Sequence, residues 1–124
     1  MPVLLAIWSL LRESKGSFIW QPNLEIFRPD HKKGERPWAE LDIVCLVDGK
    51  FVVGEVKDSI DQFGDHEFEA LRKVCGAIRP DVALLVFMEG EFVEGSPFDE
   101  RLRTLRSQVS PPTNVEWRKV PSGW

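Results

Sequence analysis

The residues best suited to chemistry in this chain lie in one stretch, Glu40 to Lys57, where two carboxylates and a lysine interrupt a run of apolar side chains. Asp48-Gly49 sits between them. Both residues tolerate the positive φ of a type I′ turn, so the pair predicts a hairpin with strands over about 39–47 and 50–57. A two-residue loop fixes the register by counting. Val47 faces Lys50, Leu46 faces Phe51, Val44 faces Val53, and Asp42 falls opposite Glu55. Directly opposed residues place their Cβ atoms roughly 4.5–5.5 Å apart, where like charges are unfavourable unless a cation sits between them. Lys57 follows Glu55 by two residues and emerges on the same face. Two acids and a lysine on strands otherwise made of core residues point to metal-assisted chemistry. The plain alternative is a pair of solvated strand ends, with Lys57 in a simple cross-strand ion pair.

An Asp at the start of one strand, followed by Glu-Val-Lys at the end of the next, resembles the PD-(D/E)XK nuclease superfamily. Asp42 matches its first acid and Glu55-Val56-Lys57 its E-x-K element, while Leu41 stands where the name-giving proline would be. The resemblance covers roughly residues 1–90. It implies a restriction-endonuclease-like fold and Mg²⁺-dependent endonuclease activity, the hydrolysis of phosphodiester bonds in DNA. The metal would be held by Asp42, Glu55 and the backbone carbonyl of Val56. Two carboxylates plus waters suit Mg²⁺, which keeps several waters and needs few protein ligands; Mn²⁺ is expected to substitute. A bound metal lowers the pKa of its water and offsets charge on the phosphate oxygens. Lys57 would orient the attacking water and support the transition-state charge. Deprotonation by Lys57 itself would need a lowered pKa, which two neighbouring carboxylates oppose.

The elements that must position these residues read as follows. Residues 2–13 predict a helix, with Pro2 suited to its first turn and Lys15-Gly16 to its end. Residues 17–27 are rich in β-formers but contain Pro22, which implies an edge or broken strand. A polar loop from Arg28 to Pro37 leads into the hairpin. Apolar residues occupy both hairpin faces: Leu41, Ile43, Cys45, Val47, Val52 and Val56 on one, Val44, Leu46, Phe51 and Val53 on the other. Such a sheet is covered on both sides. Residues 58–64 read as a loop. Asp65 is a candidate N-cap for a helix to about Ile78, whose apolar stripe is Phe68, Leu71, Val74, Cys75 and Ile78. Residues 82–87 form a short apolar run typical of a buried strand, and a helix between two strands predicts parallel pairing. Residues 98–109 predict an amphipathic helix and 115–120 a final edge strand.

The expected fold class is therefore α/β: a mixed central sheet flanked by helices, with core order αβββαβ followed by a C-terminal helix and short strand. The whole of 1–124 reads as one domain, with its core over about 1–90 and an extension over about 91–124.

Other residues are auxiliary candidates. Glu40 pairs with Lys57 in the same register count. Glu13, at the end of the first helix, matches an acid that some branches of the superfamily add to the metal site. Asp58 and Gln62 follow the motif and are candidates to reach substrate. Lys32, Lys33 and Arg36, with His31, form the densest basic stretch and are candidate DNA contacts. His66 reads as a helix-surface residue, since no second histidine is spaced with it. Arg101, Arg103 and Arg106 read as a solvated helix face or a phosphate track.

A net charge of −4 and a pI near 5.2 exclude a protein that coats nucleic acid by bulk electrostatics. The balance argues for a localised basic surface, a metal that offsets the site carboxylates, or a partner that supplies DNA affinity, either a homodimer or further domains of a longer parent protein. Cys45 and Cys75 fit no zinc spacing and read as buried thiols in a reducing cytoplasm. The apolar run over 3–11 is too short to span a bilayer, so no membrane association is expected. A non-catalytic nucleic-acid-binding or interaction module with the same fold is the alternative function.

Overall fold

Five strands lie side by side in chain order in the computed structural model, which describes residues 6, 12, 15–16, 18–27, 29–30, 32–34 and 36–121. They are β1 (Phe18–Ile26), β2 (Ala39–Val47), β3 (Lys50–Ser59), β4 (Val82–Glu89) and β5 (Asn114–Lys119). The first three pair antiparallel; β4 and β5 are added in parallel. The sheet is mixed, and the class is α/β. Two helices complete the described fold: α1 (Asp65–Ile78) between β3 and β4, and α2 (Pro97–Gln108) between β4 and β5. Parallel strands need such crossovers, because a tight hairpin can join only antiparallel neighbours.

Pro22 does not break β1. It pairs opposite Ile43 within a nine-residue strand at the sheet edge, where its missing N–H costs no second ladder. The β2–β3 turn has Asp48 at φ 51° and Gly49 at φ 81°, and Val47 pairs with Lys50, as a two-residue I′ loop requires. The Asp48 carboxylate also accepts the backbone N–H groups of Lys15 (3.0 Å) and Gly16 (2.7 Å), tying the turn to the segment before β1.

One core cluster lies between the sheet and both helices: Val53, Leu85 and Phe87 beneath Phe68, Leu71, Val74, Phe98, Leu102 and Leu105. The opposite face holds Ile43, Cys45, Val52, Val56, Leu84, Val86 and Val120. Ala6, helical and buried, packs into this second cluster. Arg12 is also helical. The rest of the expected N-terminal helix, with Glu13, lies outside the described residues, as do Arg28, His31 and Trp124.

Four expectations need correction. Leu41 belongs to the cluster beneath α1 and α2 instead of joining Ile43 and Cys45. The β2–β3 ladder stops at Ile43–Gly54, so β3 no longer holds that end of β2. Leu46 is 44% exposed and serves no core. Residues 58–64 are not simply a loop. The β3–β4 ladder runs on to Ser59–Glu89, and a 3₁₀ turn follows over Ile60–Gln62 with Ile60 and Phe63 buried. Finally, Gly64 is the N-cap residue of α1, with its N–H donated to Glu67 Oε1 at 2.9 Å. Asp65 is the first helical residue and pairs with Arg101 of α2.

Candidate active site

Asp42 and Glu55 are the positions next beyond the last β2–β3 ladder pair, Ile43–Gly54. Gly54 is required there. A Cβ at that position would stand 2.8 Å from the backbone carbonyl oxygen of Leu84, so only glycine lets β3 approach β4 this closely. The adjacent Glu55 is thereby held by the parallel ladder, opposite Leu85.

Asp42 Oδ2 accepts the Val56 N–H at 2.9 Å, which fixes the aspartate against the edge of β3 where the ladder has ended. The N–H and C=O of one strand residue leave the same edge, so the Val56 carbonyl also leaves β3 on the side facing Asp42. The Glu55 carboxyl lies within hydrogen-bonding reach of Asp42. Its pKa is pushed up to about 9, first by burial, then by the charge and hydrogen bond of Asp42, with a smaller contribution from Glu67; Lys57 opposes the shift. At neutral pH the pair therefore holds a proton.

These groups open into a cleft of about 370 Å³. Its sheet wall carries Glu40, Asp42, Glu55 and Lys57. Arg36 and Trp38 form one lip, and the facing wall is α1, through His66, Glu67, Ala70 and Lys73. Lys73 Nζ donates to the Trp38 carbonyl at 2.6 Å and lies 4.6 Å from the centre of its ring, so the helix holds the lip in place. A larger groove, about 600 Å³, runs between α1 and α2 past Phe68, Arg101 and Leu105. Its Arg101 and Asp65 are paired with each other.

The structure thus gathers Asp42, Glu55, Lys57, Glu40 and Arg36 at one place. Glu40 is exposed and pairs with Glu25 on the β1 edge; the expected Glu40–Lys57 pair is not formed, since the β2–β3 ladder ends at Ile43–Gly54. Gln62 does not join the cleft: its Oε1 accepts the Ser59 N–H at 3.1 Å and closes the 3₁₀ turn. Asp58 is exposed at the end of β3, and Lys32 and Lys33 are exposed on the approach to β2, outside the cleft lining. The arginines of α2 are engaged within the fold. Arg101 binds Asp65 at 2.7 Å, Arg103 binds the buried Asp99 at 3.1 Å, and Arg106 donates to the Val115 carbonyl at 2.8 Å. Cys45 and Cys75 are free, buried thiols in opposite clusters, each pushed up to about 11 by burial.

The α1 wall is what the sequence reading missed. His66, Ala70 and Lys73 recur at i, i+4 and i+7, a spacing that places them on one helical face. Nothing in the sequence indicated that this face would meet the hairpin.

The donor set suits a hard divalent cation. It consists of two carboxyl groups within reach of each other, beside a backbone carbonyl edge. Among the described residues no group of three or more His, Cys, Asp or Glu side chains is poised around one point, and no helix is long and apolar enough to cross a membrane. No family model matches the chain, and no curated protein or solved structure matches it either.

Proposed function

We propose that this chain is a PD-(D/E)XK nuclease domain with the restriction-endonuclease-like fold, hydrolysing phosphodiester bonds in DNA. The observation that carries this reading is the Asp42–Glu55 carboxyl pair, in contact across two strands at the mouth of a cleft, with Lys57 on the same strand face. Such a pair is costly to bury without a cation. Asp42, Glu55 and the Val56 carbonyl would hold Mg²⁺ or Mn²⁺. That ion would supply a water of lowered pKa and a counter-charge for the phosphate. Lys57 orients the attacking water and faces the charge that develops on phosphorus oxygens. Arg36 at the lip and Lys32 and Lys33 on the approach contact the DNA backbone. Buried, reduced cysteines fit a cytoplasmic setting.

A second reading is a non-catalytic nucleic-acid-binding or interaction module of the same fold. The raised pKa of Glu55 favours it, because a carboxyl pair that shares a proton persists without a metal. One experiment separates the two. Calorimetric titration with Mn²⁺ is run beside cleavage of linear, nicked, single-stranded and branched DNA. The nuclease binds the metal at the hairpin and cuts at least one substrate, and Asp42→Ala and Glu55→Ala lose both properties. Metal affinity unchanged in both variants rejects the site.

A further inference from the structure

The helix wall of the cleft carries a group that the reading above leaves unused. His66 is the second residue of α1, is exposed, and lines the same cleft as Asp42, Glu55 and Lys57. The acids and the lysine rise from the sheet wall; His66 comes from the wall opposite. A phosphodiester entering the cleft would meet the sheet wall on one side and α1 on the other.

Displacement at phosphorus is in line, so the attacking oxygen enters on one side and the leaving oxygen departs on the other. The acid pair and Lys57 serve the attacking side. The departing alkoxide needs a proton. Glu55 holds one in the free protein but would give it up on taking the cation, and few other side chains lining the cleft can supply one. Lys73 is engaged with the Trp38 carbonyl and ring. The guanidinium of Arg36 does not release a proton in a protein. Glu40 is a carboxylate at an exposed strand end, and Glu67 is an acceptor for the Gly64 N–H. Imidazole is the side chain whose ordinary titration falls near neutrality, and it can donate from one ring nitrogen and be reprotonated by solvent.

We infer that His66 is the general acid that protonates the leaving oxygen, an inference that rests on the phosphodiesterase reading of the cleft. In the step, a water oxygen forms a bond to phosphorus and its proton passes to solvent. The bond from phosphorus to the bridging oxygen breaks, and its electron pair stays on that oxygen, which takes the proton from the His66 imidazolium. The products are one phosphomonoester and one alcohol. No redox change occurs and no further reactant is consumed.

A leaving-group substitution tests this. The full chain and its His66→Ala and His66→Gln variants are assayed in single turnover with Mn²⁺. One substrate is an ordinary DNA duplex. The others carry a single sulfur in place of a bridging oxygen, in a 3′ and a 5′ version; the wild-type products show which bond breaks. A thiol has a pKa of about 8.5, so a thiolate departs without a proton. Both variants are expected to lose about 10²-fold or more on the oxygen substrate, the size of a general-acid contribution. On the matching sulfur substrate they should cleave within a few-fold of wild type, with Mn²⁺ affinity unchanged. Equal losses on oxygen and sulfur substrates, or no loss on either, overturn the role of His66 while leaving the nuclease reading intact. A wild-type protein that cleaves neither substrate overturns both.

Discussion

Replacing Glu55 with Gln isolates the electrostatics of the acid pair before any substrate is added. Burial and the neighbouring Asp42 raise the Glu55 pKa from 4.5 to about 9 in the folded protein. A carboxyl whose folded pKa lies above its unfolded value favours folding when protonated. Its contribution is complete below about pH 4.5 and is lost as the pH rises toward 9. Each pKa unit corresponds to about 1.4 kcal/mol, so the displacement sets an upper bound of about 6 kcal/mol on the loss. Glu55 is partly open to the cleft, and solvent screens the charge; about a third of that bound, ~2 kcal/mol, is the working magnitude. For a chain of this length that amounts to roughly 6–10 °C in Tm. The assay is thermal unfolding in EDTA from pH 4.5 to 9, with wild type and Glu55→Gln side by side, so that other titrating groups cancel in the difference. Glutamine mimics the protonated acid. The two proteins should therefore melt together at pH 4.5, and the variant should be the more stable at pH 8. Mg²⁺ at pH 8 should raise the Tm of wild type and leave the variant unmoved. Because burial is the larger cause, Asp42→Asn should reduce the wild-type pH dependence without abolishing it. Parallel curves for wild type and Glu55→Gln across the whole range would refute the claim that these carboxyls are forced together.

Asp42→Ala and Glu55→Ala should both abolish cleavage but differ in metal-free stability. The first strands the Val56 N–H and costs about 1–3 kcal/mol. The second removes the cost of burying a carboxyl beside Asp42 and costs nothing or stabilises, so equal denaturation midpoints would contradict the geometry. Lys57→Ala should keep Mn²⁺ affinity by calorimetry while lowering the single-turnover rate roughly 10²–10³-fold. Lys57→Arg should recover little, since a planar guanidinium does not replace a compact ammonium, and a wild-type rate in either would reduce Lys57 to an ion-pair partner. Gly49→Val should lower stability by more than about 1 kcal/mol in urea melts. A side chain there meets nothing within 4 Å, so the cost is backbone strain at φ 81°, and an unchanged midpoint would discredit the turn. Replacing Lys32 and Lys33 together with Ala should flatten the slope of log K against log salt by about two, measured by anisotropy with a duplex in Ca²⁺. An unchanged slope would make this segment a solvated connection.

What the sequence made legible follows from how local each rule is. Asp48-Gly49 specifies its own turn, and the turn specifies the register, so the meeting of Asp42 and Glu55 could be counted along the chain. The parallel β4 was legible because an apolar run after a helix has one economical place to go. The continuation of β3 to Ser59 was not, since it depends on a ladder with β4 residues that lie far along the chain. Gln62 illustrates the same limit. Its polarity suggested substrate, yet a Ser three residues earlier offered a capping partner, and the local hydrogen bond prevailed. The α1 wall of the cleft escaped notice because helix reading follows the apolar stripe. His66 and Lys73 acquire meaning only once Trp38 and the hairpin are packed against them.

The distribution of positive charge bears on how such a domain would hold DNA. Many of its basic side chains are spent inside the fold. Arg72 pairs with Glu69, Lys119 with Glu91, Arg101 with Asp65 and Arg103 with Asp99, while Arg106 and Lys73 are bound to backbone carbonyls. The α2 arginines, which could have formed a phosphate track from their spacing alone, are therefore structural. Among the described residues around the cleft this leaves Arg36 and Lys57, with Lys32 and Lys33 on the approach, set against a net charge of −4. Non-specific affinity for duplex DNA scales with the number of phosphates neutralised, and a protein making few such contacts binds weakly at physiological salt. On the nuclease reading the binding surface among the described residues is short. A second copy of the chain or further domains of a longer protein would have to supply the missing phosphate contacts. A homodimer would present two acid pairs to one duplex, and so a double-strand cut; added domains would present one.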